Sequence, residues 1–237
     1  MKHNRNNWRI WISKLYTCLD LAKFDEAVQA CLVILDFRKA KSVNGVPELE
    51  EKCVRAIVGG VIGNFRTLKE TTTTTASTTT STTTTQVDGA LEASRRSLAR
   101  VLDLLERLGA NSKEPWIFET MAYFYSQVGQ EEQVLENLMK EYRSLQSVRG
   151  WEKDDAQVLQ VCQVVTQIVR LHQLQPSSSS SGGKEKNVAK SKFLVSGVVK
   201  RVQQSRIDMT NVPEELGRLE QLLEELGTEK EAELLST

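Results

Sequence analysis

Apolar residues recur at intervals of three and four through most of the chain, and the rhythm breaks at a few polar, glycine and proline positions. That period belongs to amphipathic helices, not to strands. Ile10, Trp11, Leu15, Cys18 and Leu21 predict a helix from Trp8 to about Leu21. Ala22 and Lys23 form a turn, and Phe24, Ala27, Val28, Cys31, Ile34 and Leu35 predict a return helix to about Lys39. Residues 1–40 therefore read as a first helical hairpin.

A second hairpin is expected over 47–109. Pro47 suits the first position of a helix, and Leu49, Cys53, Ala56, Ile57 and Val61 carry its stripe to about Val61. Gly59, Gly60 and Gly63 read as its stop. The run GGVIGN is not a phosphate loop: no strand precedes it, no Lys-Ser/Thr follows it, and the G-x-G-x-x-G spacing fails. Residues 71–85 contain only Thr, Ser and Ala, which lack the apolar area to offset the entropy of ordering, so a disordered insert is expected. Helix resumes near Asp88 and runs to Leu108 on Leu91, Leu98, Val101, Leu102, Leu105 and Leu108, with Gly109 as its C-terminal cap.

The third hairpin and following helix span 115–174. Trp116–Val128 and Glu131 to about Gln146 pair across Gly129, and a strongly apolar helix follows GWEKDD to about Leu174. Its width of apolar surface calls for cover on two sides. Residues 176–184 form a Ser/Gly linker. Residues 185–237 supply capping helices: one basic, from about Glu185 to Ser205, and one acidic, from Val212 to Leu226.

The hairpins share a finer register. In a unit of about 34 residues, setting Trp11 at the fourth place puts Ala22 at the fifteenth, Phe24 at the seventeenth and Ala27 at the twentieth. Phe118 at the fourth place puts Met121, Ala122, Tyr125 and Gly129 on further signature places. Leu15, Ile34, Val134 and Glu141 replace the small residues usual at theirs. One such unit cannot bury its own apolar face, so neighbours are required. The expected fold class is all-α: a right-handed α-solenoid of tetratricopeptide-like helical hairpins with a helical C-terminal cap.

Charge changes this picture locally. Lys+Arg and Asp+Glu both total 31 in 237 residues, so net charge argues for no particular partner. Lys184, Lys186, Lys190, Lys192, Lys200, Arg201 and Arg206 nonetheless concentrate in one stretch, and the segment after it is acidic. Neighbouring segments of opposite sign pair or solvate more readily than they mark a nucleic-acid site. Cys18, Cys31, Cys53 and Cys162 lie widely spaced on apolar faces, as reduced core thiols do. There is no secretory leader pattern and no apolar run long enough to span a bilayer, so a soluble protein of the cytoplasm, or also the nucleus, is expected.

At this point NNWRIW, LDLAKFDEAV, ILDFR, VRAIV and GWEKDD together resemble the C-terminal repeat region of the tetratricopeptide repeat protein 27 family, over roughly Asn7 to Leu174. The resemblance implies an α-solenoid without catalytic activity or cofactor, preceded in the family by a long further chain. It makes Trp8–Arg38 an interior unit, with Trp8, Ile10 and Trp11 exposed. The Thr and Ser inserts depart from the family pattern.

No catalytic, metal-ligating or cofactor-binding set emerges from the residues. His3 and His172 are far apart, and a Cys162–His172 pair has no third orienting group. No cysteines have zinc spacing. A chaperone-type carboxylate clamp needs Lys and Asn at places held here by Arg9, Ile12, Ser13 and Tyr16, and by Trp116, Glu119, Thr120 and Tyr123; only Arg9 fits. Arg9, Tyr16, Tyr123 and Tyr125 are the candidate lining of a partner groove. The function expected is a non-catalytic protein–protein interaction scaffold with protein or peptide ligands and no small-molecule substrate; nucleic acid is not expected. The alternatives are an RNA or anionic-membrane binder acting through the basic helix 184–206, and a hydrolase with an unrecognised site.

Overall fold

Helices carry the regular structure of the computed structural model, which describes residues 7–40, 45–75, 84–110, 112–174, 181–205 and 214–234. In order they are α1 (Trp8–Asp20), α2 (Phe24–Lys39), α3 (Glu51–Thr75), α4 (Thr84–Gly109), α5 (Pro115–Val128), α6 (Glu131–Ser147), α7 (Asp155–Leu174), α8 (Ser181–Ser205) and α9 (Glu214–Leu234). A 3₁₀ turn, Trp151–Lys153, precedes α7, and no strand occurs among the described residues. The chain divides into two compact units, Met1–Val128 and Gly129–Thr237. The division falls at the turn of the expected third hairpin.

In the first unit, α1 starts where the Asn7 side chain accepts the Arg9 N–H at 3.1 Å, satisfying one of the orphan donors of a helix start. It ends in a Schellman motif: Lys23 N–H reaches Cys18 C=O at 2.8 Å and Ala22 N–H reaches Leu19 C=O at 3.0 Å. That geometry puts Ala22 in the left-handed region at φ 52°, where glycine is usual. The sharp reversal lays α2 back along α1, burying Leu15 and Cys18 against a face of Ala27, Val28, Ala30, Cys31 and Ile34. Asp25 and Glu26 at the start of α2, and Arg38 and Lys39 at its end, complement the helix dipole.

The second hairpin forms, α3 against α4, with two differences from expectation. Residues 45–50 are not helical, and the first turn of α3 hangs from Glu50, whose carbonyl accepts from Cys53 and Val54. Pro47 thus lies in the lead-in, although Leu49 is buried. The second difference is at the glycines. Instead of stopping at Val61, α3 continues through Gly59, Gly60 and Gly63 to Thr75. A Cβ on Gly60 would run into the Phe24 ring, so this glycine admits the start of α2 against α3 and is no helix stop. Val54, Ile57, Val58, Val61 and Ile62 are buried along the same stretch, and that packing holds the helix together despite its glycines.

The helical backbone also enters the Thr tract from both ends, since α3 reaches Thr75 and α4 begins at Thr84. Extending a packed helix costs little per residue once it is nucleated. The rest of the tract, 76–83, lies outside the described residues, as does His3. Helix α5 packs on both α3 and α4, and Gly109 is again a close approach: a Cβ there would stand 3.2 Å from Met121 Sδ. Gly109 is the last residue of α4 itself, so the helix runs one residue past the expected Leu108.

In the second unit α7 is the centre, contacting α6, α8, α9 and the 3₁₀ turn. Val158, Val161, Cys162, Val165, Ile168 and Val169 are all buried, so the cover called for by its apolar width is present. Gly150 at φ 82° turns the chain, placing Trp151 at 1 % exposure beneath the Arg201 guanidinium of α8, 5.1 Å from the ring centroid. Helix α8 begins at Ser181, inside the expected linker; residues 175–180 lie outside the described set. Val195, Val198 and Val202 of α8 and Leu216, Leu219 and Leu226 of α9 close this core. Helix α9 runs to Leu234, beyond the expected Leu226.

Candidate functional site

The candidate surface lies wholly in the first unit, on the leading helices of its hairpins. Helix α3 contacts both α1 and α5. Each junction is bridged by a polar contact. Tyr16 Oη of α1 donates to Glu50 Oε1 at 2.7 Å, and Arg55 of α3 donates to Glu119 of α5 at 2.5 Å while also bonding Glu51 at 2.7 Å. These contacts are solvent-exposed and add little to stability, but they fix which residues of neighbouring helices stand side by side.

Between them the outward stripe of α3 is Lys52, Ala56, Gly59 and Gly63, all exposed and spaced four, three and four apart, which is one face of a helix. Nothing lies within 4 Å of where a Cβ would stand on Gly59 or Gly63. The floor is therefore low. On the neighbouring helices Tyr16 is 39 % exposed and Tyr123 44 %.

Glu50 is held below the usual carboxylate range, first by hydrogen bonding from Lys52 at 2.8 Å and then by Tyr16. The same Glu50 bond, more than burial, raises the Tyr16 phenol to about 12. Tyr16 is thus a neutral donor locked onto a carboxylate at physiological pH. It presents a ring and an oriented dipole, not a titrating acid.

The structure treats the four expected groove residues unequally. Tyr16 and Tyr123 are exposed, on α1 and α5. Arg9 sits on the first turn of α1 with its guanidinium over its neighbour Trp8, 5.4 Å from the ring centroid. Tyr125 is corrected to a core residue: it is 6 % exposed and meets Phe124 edge-on at 5.7 Å. Two residues along a helix is a rotation of about 200°, so Tyr123 and Tyr125 cannot share a face. Of the residues expected to be bare, Ile10 is exposed, while Trp8 and Trp11 are half-buried.

The contacts of Glu50, Arg55 and Glu119 escaped the sequence reading, because nothing in a single sequence marks which surface charges meet across helices. One signal was present. Tyr16 and Glu50 are 34 residues apart, the period in which the hairpins were counted.

The second unit contains a buried polar pair, His172 Nδ1 and Ser191 Oγ at 3.0 Å. His172 is 8 % exposed and Ser191 1 %. Burial, with Lys190 second, lowers the imidazole below its ordinary value. The pair joins α7 to α8. Cys162, the partner weighed in the sequence, has its thiol pushed up to about 12 by burial, the protonated state of an inert core cysteine. Among the described residues no group of three or more His, Cys, Asp or Glu side chains could hold a metal ion, and no helix is long and apolar enough to cross a membrane.

No protein-family model, curated protein or solved structure matches this chain.

Proposed function

We propose that the chain is a non-catalytic scaffold that receives a protein or peptide on the α1–α3–α5 face of its first unit. The observation that carries the reading is the exposed, open stripe of Ala56, Gly59 and Gly63 on α3, a helix in contact with both helices that bear the exposed tyrosines Tyr16 and Tyr123. A glycine-floored strip lets a partner backbone approach closely. Exposed tyrosines on the adjoining helices contribute apolar area with a polar tip. A peptide segment or helix laid along the strip would bury these groups in the helix-in-groove manner.

A right-handed tetratricopeptide-like solenoid, of the kind found in the tetratricopeptide repeat protein 27 family, is our reading of the architecture. Three features of the first unit support it. Each of α1, α3 and α5 contacts the next in turn. The fifteenth place of the counted unit has a left-handed backbone at both Ala22 and Gly129. The Tyr16–Glu50 bond spans one period. A cytoplasmic or nuclear location is part of the same proposal.

The test is a quantitative affinity capture from cells with the full chain, comparing wild type with Arg9→Glu/Tyr16→Ala/Tyr123→Ala. All three side chains are on the surface, so the variant should melt as the wild type does. Loss of specific partners with unchanged melting supports the face. Retention of every partner refutes it.

A further inference from the structure

Helix α8 has two faces of different character, and only one is used by the fold. Its inner stripe, Ser191, Val195, Val198 and Val202, is buried against α7 and α9. At about 100° per residue, Phe193 falls almost diametrically opposite that stripe, and Lys186 and Lys200 fall close to Phe193. Phe193 is 78 % exposed, more than any other large apolar side chain described. Lys186, Lys190 and Lys200 are exposed and meet no carboxylate among the described residues, whereas Arg201 on the flank is bound to Glu152.

Two acidic side chains of the neighbouring helix have partners other than these lysines. Helix α9 packs on the inner side of α8; its Glu214 pairs with Arg218 at 2.9 Å, and its Glu220 accepts from Gln203 at 2.8 Å. The outer ridge of α8 is thus a cationic line about 21 Å long, from the rise of about 1.5 Å per residue, with one protruding ring at its middle.

We propose that this ridge docks the chain on an anionic lipid surface. A convex ridge with a single projecting ring offers no groove for a peptide, and a lone aromatic gives little stacking for RNA bases. A fluid bilayer needs neither: it accepts a projecting ring at headgroup depth and attracts lysines with diffuse charge. The shortness of the line makes this attachment weak, reversible and salt-sensitive. It adds to the partner face of the first unit and does not depend on it.

The test is flotation of the full chain with phosphatidylcholine vesicles, with and without phosphatidylserine. The expected result is partition onto the phosphatidylserine vesicles only, reversed by salt. Lys186→Gln/Lys190→Gln/Lys200→Gln should lower the partition by about 100-fold, and Phe193→Ala by about tenfold. Lys23→Gln/Lys39→Gln/Lys113→Gln, removing equal charge at exposed positions elsewhere, should have little effect. Exposure predicts unchanged melting for every variant, which separates lost docking from lost folding. Equal partition onto both vesicle types, or losses as large in the control triple, would overturn the proposal. So would binding of a single-stranded RNA oligonucleotide without lipid binding, which would assign the ridge to nucleic acid.

Discussion

Replacing Gly60 by alanine sets two opposing effects against each other, and the structure decides the sign. In an exposed helix interior, Gly→Ala stabilises by about 1 kcal/mol through backbone entropy. Gly59 and Gly63 meet that condition, having open space where a Cβ would go, so each should gain about that amount. At Gly60 the new methyl overlaps three atoms of the Phe24 ring. Overpacking of this kind costs about 1–3 kcal/mol; if the ring swings out instead, part of its burial is lost, at about 1 kcal/mol for a half-buried aromatic. The net expectation is a loss of about 1 kcal/mol, placing Gly60→Ala about 2 kcal/mol below its neighbours in the same helix. Urea unfolding of the three single variants measures this directly. In a Phe24→Ala background the conflict disappears, and Gly60→Ala should become stabilising, giving a coupling of about 1–3 kcal/mol in the double-mutant cycle. If Gly60→Ala stabilises the parent chain as much as Gly59→Ala does, the contact does not hold α2 against α3, and this account of the glycines is wrong.

Ala22→Gly should stabilise by about 1 kcal/mol, since φ 52° at a Schellman turn strains alanine and suits glycine; a lower urea midpoint would contradict the turn geometry. Burial holds His172 below the ordinary imidazole value of 6.5, so unfolding takes up a proton. Stability is therefore complete above about 6.5 and falls as pH drops through the lower folded value; His172→Gln should flatten that acid slope in the urea midpoint, and an unchanged slope would show that other groups cause it. Tyr16 should ionise near 12 in an alkaline absorbance titration, and Glu50→Gln should move it back toward 10.0, because the Glu50 bond is the largest cause of the shift; no movement would break the assignment of the Tyr16–Glu50 contact.

Much of the helical order was legible because it rests on local chemistry. Helix α2 runs from Phe24 to Lys39 as its stripe and the Ala22-Lys23 turn predict, and α5 stops before Gly129, whose φ of 76° suits glycine. The pairing of α3 with α4 across the Thr tract was also readable, since two amphipathic helices with one open face each must find cover. The glycines of α3 were misread because propensity is a weak prior that tertiary contact overrides. In isolation Gly59, Gly60 and Gly63 look alike; only the Phe24 ring makes one of them necessary. The start of α3 failed for a related reason, since Pro47 permits a helix start but does not impose one.

At the candidate face, the helical spacing of Tyr16, Tyr123 and Tyr125 fits packing residues first and groove lining second; the structure exposes the first two and buries the third. An aromatic at helical spacing is compatible with groove or core until the neighbours are known. The pairing of His172 with Ser191 was invisible because the partner lies on α8, beyond the Ser/Gly stretch that broke the reading of periodicity. In sequence the basic segment suits a cap or a binder, and the two do not exclude each other. Its inner valines cap α7, and its lysines lie on the other side.

The most direct test of the proposed partner face is site-specific photocrosslinking in cells with the full chain. A photoreactive phenylalanine would be placed at Tyr16, Ala56 or Tyr123, and for comparison at exposed Gln29 of α2 or Arg96 of α4. A partner seated on this face crosslinks from the first three positions and not from the last two. The same partner captured equally from Gln29 or Arg96, or from neither Tyr16 nor Tyr123, would contradict it.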